Sequence, residues 1–167
     1  MDFEYKIYLA RAQNELNLST IILKLSDDKE LQVTRFGVKA DTYYSAAISH
    51  AYYSIFYAAK AYLLTKGIDI MAPEEHRKTL EAFAKLVEQG IIDVELLKVY
   101  QSVLTKAEIL LHIFETEKGK RTKFTYKRIP QANQEPAQES SHNAQFFYGK
   151  IVGLCEKRVQ PEEFEDE

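Results

Sequence analysis

The run KGKRTKFTYKR, from Lys118 to Arg128, holds the residues best suited to chemistry with phosphate. Six of its eleven residues are Lys or Arg and none is acidic. The whole chain of 167 residues has 22 Lys and Arg against 25 Asp and Glu, a net charge of −3, so the run set aside leaves −9 on the rest. Lys118, Lys120, Lys123 and Lys127 supply point charges, whereas Arg121 and Arg128 supply forked donors that clamp a phosphate through two hydrogen bonds. Phe124 and Tyr126 interleave rings on which bases stack. That combination suits single-stranded nucleic acid or a nucleotide. The alternative is a solvated helix end or a surface for an acidic partner. Cations do favour a helix C-terminus, but about two or three suffice for that.

Other chemically capable side chains are scattered. There are four histidines. His50 sits near Tyr53 and Tyr57 on a helix face, where a core or interface role is expected. His76 falls in the first turn of a short helix and is read as solvated, and His112 is read as facing water or a partner. His142 follows a polar loop and is placed to swing back toward Arg121. The single cysteine, Cys155, excludes an internal disulfide and a cysteine zinc site, and it reads as a buried, inert thiol. No histidine pair has metal-protease spacing and no glycine-rich phosphate loop occurs, so no metal or cofactor is expected. No apolar run approaches the length of a membrane span, and the start, MDFEYKIY, lacks the pattern of a signal peptide. The expected location is the cytoplasm, with no membrane partner.

The elements that must position these residues are helical. Glycine and proline number six and four, and between them apolar residues recur every three or four positions. The spacing predicts five helices: about 2–25, from Asp41 or Thr42 to Gly67, 74–89, 93–118 and about 141–158. A short polar connector containing Arg35-Phe36-Gly37 joins the first two. In the second helix Tyr44, Ile48, Ala51, Ile55, Ala59 and Tyr62 line one face. The opposite face carries Ala46, His50, Tyr53, Tyr57 and Leu64, and only Lys60 interrupts the middle. A helix apolar on two sides is central or lies at a subunit interface. No strand pattern appears. The expectation is an all-α, antiparallel up-and-down bundle forming one domain over 1–160, with a loop at about 122–141 and an acidic tail at 161–167.

The stretch HAYYSIFYAAKAYLLTKG, His50 to Gly67, resembles the signature helix of HEPN-domain proteins. The order of elements is similar too: a leading helix with ARAQNEL, the Tyr-rich helix, a short helix near His76, a long helix, an Arg followed five residues later by Tyr126, and a last helix with Ala144 and Phe147. The resemblance covers roughly residues 5–158. It implies a helical bundle, usually dimeric, whose active members are metal-independent ribonucleases with Arg and His separated by four to six residues. Many members stand beside a minimal nucleotidyltransferase in toxin–antitoxin pairs, and others bind nucleotides. Arg121 matches the arginine of that motif. Tyr126 occupies the position five residues on, and the nearest downstream histidine is His142. The resemblance thus gives Arg121, Tyr126 and His142 as catalytic candidates. The function expected is binding of a nucleotide, RNA or a nucleotidyltransferase partner in a toxin–antitoxin or defence setting. The alternatives are an active metal-independent ribonuclease and a non-catalytic helical adaptor. A homodimer is expected, with His50, Tyr53 and Tyr57 on its interface or in the core.

Overall fold

The computed structural model describes residues 3–117 and 134–157, with side chains described over 3–109 and 134–157. The basic run and the acidic tail lie outside these. The described residues form six helices and no strand: α1 Glu4–Asp27, α2 Lys29–Phe36, α3 Tyr44–Thr65, α4 Glu75–Glu88, α5 Val94–Glu117 and α6 Gln134–Glu156. They pack as a helical bundle, the all-α architecture that the periodicity predicts. No helix among the described residues is long and apolar enough to cross a membrane.

α3 is the central member, packed against α1, α4, α5 and α6. Fifteen of its 22 residues are buried, including all six of the predicted inner face. The core around it is aliphatic and aromatic, with Phe56, Phe83, Tyr100 and Phe147 the largest buried rings. Phe83, Tyr100 and Phe147 meet with ring centroids 5.5–5.9 Å apart, the tilted and edge-on geometry that aromatic quadrupoles favour. α3 ends as expected at Gly67. Its φ of 74° lets Ile68 N–H reach back to the Leu63 carbonyl at 2.9 Å, a closure that a side chain would strain.

Three boundaries differ from the sequence reading. The polar connector contains α2, because Asp28 caps it by accepting from Leu31 N–H at 2.8 Å. Its Gln32 is fully buried: the amide donates to Leu25 O and Asp41 O at 2.6 and 3.0 Å and accepts from Asp41 N–H at 2.8 Å. That clamp fixes Asp41 as connector, so α3 starts at Tyr44 rather than being capped by Asp41 or Thr42. Ser26 of α1 accepts from Tyr43 N–H at 2.8 Å in their place. The last helix begins at Gln134, not near Ser141, so the expected loop of 122–141 is helical from 134 onward. Pro136 is compatible because it falls in the first turn, where no intrahelical N–H bond is lost. Ala137, Ser140, Ser141 and Ala144 are the small residues that seat this part of α6 in the bundle.

Candidate functional site

The outer face of α3 is a strip of rings and polar groups shared with α1 and α4. His50 is half-buried, and its Nδ1 lies 2.5 Å from Glu15 Oε2 of α1. Two turns further, Tyr57 accepts a hydrogen bond from Arg11 at 2.9 Å, while the guanidinium carbon lies 4.4 Å from its ring centroid. Tyr8 stacks on Tyr57 at 6.2 Å. Tyr53, between them, stays 39% exposed. His50, Tyr53 and Tyr57 lie along this face, with His50 and Tyr57 turned to α1 and Tyr53 open.

Lys60 continues this face and is 3% exposed. Its ammonium donates to Glu75 Oε1 at 3.0 Å and lies 4.8 Å from the Tyr8 ring centroid. Burial acts to lower its pKa, but Glu75 and Tyr8 outweigh that, so Lys60 is held charged above its ordinary value. The pair pins the first turn of α4 across α3. The lysine that interrupts the apolar helix thus has a partner on the next one, as a buried charge requires.

The pin delivers His76 onto α3. Its ring stacks on Phe56 with centroids 4.0 Å apart, and Nδ1 is hydrogen-bonded to the Tyr52 hydroxyl at 2.7 Å. The residue keeps an exposed edge, as expected of a first-turn histidine. The sequence reading missed that one face of the ring is covered. Loss of solvent at that face, helped by the Lys60 charge and opposed by Glu75, holds the imidazole pKa below its ordinary value. Burial, with the fields of Tyr53 and Glu108, pushes the Tyr52 phenol up to about 12. In both groups burial disfavours the charged form.

Tyr52, Tyr53 and His76 form one wall of an open groove of about 550 Å³ between α3, α4 and α5. Leu80, Leu104 and Ala107 supply its apolar floor, with Ser49, Arg77 and Glu108 also lining it. Arg77 is already engaged, donating to Glu74 at 2.8 Å and to Glu81 at 2.6 Å. An apolar groove of this size with a few polar groups is the usual form of a ligand site. The only signals in sequence were the Tyr-rich helix and the lone Lys60.

Of the remaining candidates, one is described, and it does not line this groove. His142 is exposed on α6. Lys118, Lys120, Arg121, Lys123, Phe124, Tyr126, Lys127 and Arg128 lie outside the described residues. The helices that flank that run, α5 and α6, are joined by Lys106 and Glu139 at 2.7 Å. Cys155 is buried, and burial pushes its thiol up to about 11, in line with an inert role.

Comparison with known proteins gives the chain a family. It is 46% identical over 55 residues to a protein of Methanocaldococcus jannaschii named "Putative toxin MJ0142", covering 32% of this chain and 35% of that one. It is 45% identical over 60 residues to "UPF0332 protein PH1297" of Pyrococcus horikoshii, covering 35% and 37%. The matched stretches thus span about a third of these relatives. No solved structure matches. A family model described as the HEPN domain matches residues 29–152, which takes in α2 through most of α6 and the run between α5 and α6. The chain belongs to the HEPN domain family.

Proposed function

We propose that this HEPN protein binds single-stranded RNA or a nucleotide through Lys118–Arg128, as one component of a cytoplasmic toxin–antitoxin or defence pair with a nucleotidyltransferase partner. The observation that carries the reading is the segregation of charge, six cations interleaved with two aromatic rings on a chain otherwise at −9. Cations take phosphates and release counterions, and rings take bases at about 1–3 kcal/mol each. The relative named as a toxin supports the setting, and the family resemblance supports a homodimer.

Titration of the intact protein with a short single-stranded RNA at low salt tests this. Binding is expected, weakening steeply as salt rises, with Arg121→Ala more damaging than Lys123→Ala. No binding to the wild type removes the RNA reading and leaves an acidic partner protein for the run. The family resemblance favours a second reading, a metal-independent ribonuclease built on Arg121 with Tyr126 or His142. RNA cleavage that persists in EDTA and disappears in Arg121→Ala would establish it.

A further inference from the structure

The α3–α4–α5 groove differs in sign from the basic run, and its occupant should differ as well. Tyr53 offers an open ring, and Tyr52 stands beside it with centroids 5.7 Å apart. The charged residues that line the groove are Arg77 and Glu108, and the two carboxylates paired with Arg77, Glu74 and Glu81, more than offset its charge. Arg77 is spent between Glu74 and Glu81, and among the described residues Glu108 has no ion-pair partner. Burial of the His76 ring disfavours its charged form. Among the described residues, a phosphate entering here meets net negative charge. A guanidinium or ammonium instead finds an aromatic ring and a carboxylate lining the same groove, groups that favour cations. The apolar floor of Leu80, Leu104 and Ala107 suits an aliphatic stem or a neighbouring apolar residue rather than a bare ion.

We propose that this groove, walled by Tyr53 and Glu108, is a docking site for an arginine-bearing peptide segment of a partner protein, with the guanidinium over Tyr53 and paired to Glu108. The proposal does not rest on the RNA reading of Lys118–Arg128.

The test uses the full chain and an acetylated, amidated tetrapeptide Ala-Arg-Leu-Arg, followed by the NMR signals of Tyr53 and His76. A citrulline version of the same peptide, neutral and nearly the same shape, is the control, and adenosine monophosphate is the competing probe. The arginine peptide should bind saturably at low salt and the citrulline peptide at least about fivefold more weakly. Glu108→Gln and Tyr53→Ala should each weaken binding by about two- to fivefold, whereas Tyr53→Phe keeps it, because the ring and not the hydroxyl makes the contact. Neither Glu108 nor Tyr53 is buried, so both variants remain folded. Equal binding of the citrulline peptide, no effect of Glu108→Gln, or no binding of the arginine peptide overturns the proposal. So does adenosine monophosphate shifting the same signals more strongly, which would make the groove a nucleotide site. Loss of RNA binding in Arg121→Ala with the peptide response unchanged separates the two sites.

Discussion

The two faces of α3 use the same kinds of residue to different ends. On the inner face Ile48, Ala51, Ile55, Ala59 and Tyr62 are at most 2% exposed and pack into the apolar core, with polar contacts at the two ends, where Tyr44 donates to Asp27 and Lys66 lies over the Tyr62 ring. On the outer face rings are just as frequent, but each carries a polar neighbour: Glu15 at His50, Arg11 at Tyr57, His76 at Tyr52 and Tyr53, and Glu75 at Lys60. A hydrophobic count scores the two faces nearly alike. What separates them is whether polar atoms have partners and whether the next helix covers the rings fully. The inner face holds the bundle together, and the outer face orients α4 and leaves Tyr53 open to a ligand.

The contrast has energetic consequences that mutation can break. Ile55 is fully buried, so Ile55→Ala should cost about 2–5 kcal/mol from lost transfer energy and the cavity left behind. Tyr53→Ala should cost less than about 1 kcal/mol, because the ring is partly in water already. Urea unfolding measures both, and equal costs would erase the distinction between the faces.

A smaller loss is expected at the pin. Glu75→Gln leaves the Lys60 ammonium buried without its carboxylate and should cost about 2 kcal/mol, less than a fully buried pair because Glu75 is partly solvated. Lys60→Met in that background should recover most of the loss, since an apolar stem satisfies the same space. If the double variant is as unstable as the single one in chemical denaturation, the pin acts through packing rather than charge.

The smallest effect sharpens the role of His76. Its folded pKa lies below the usual 6.5, so the unfolded chain takes up the proton first. The contribution is intact above about pH 6.5 and is lost as pH falls through the folded value. The thermal midpoint should drop more between about pH 7.5 and 5.5 in the wild type than in His76→Gln. Glu74, whose carboxyl is lowered by Arg77, titrates below this window and does not confuse it. Parallel pH curves for the two proteins would mean that covering one face of the ring has no consequence for stability.

The helical class, the inner face of α3 and the stop at Gly67 were legible in the sequence because each is a local signal. Periodicity and glycine act within a few residues. α2 was not legible, since its one buried residue, Gln32, is polar and a binary pattern assigns it to solvent. The start of α6 was hidden in the same way. Ala137, Ser140 and Ser141 pack closely because they are small, and small residues give little hydrophobic signal. The groove depends on α4 crossing α3, which brings His76 to Phe56 from 20 positions away in the chain. The Tyr-rich helix marked one wall of it, and nothing local marked the others.

Cys155 turns the packing of α6 into something that can be timed. It is the only thiol in the chain, it is 1% exposed, and burial raises its pKa to about 11. A thiol reagent can reach it only when the end of α6 leaves its seat. The labelling rate of the unmodified protein therefore reads the opening frequency of that helix. Measured against the global unfolding rate, it reports whether α6 departs alone or only when the whole bundle comes apart.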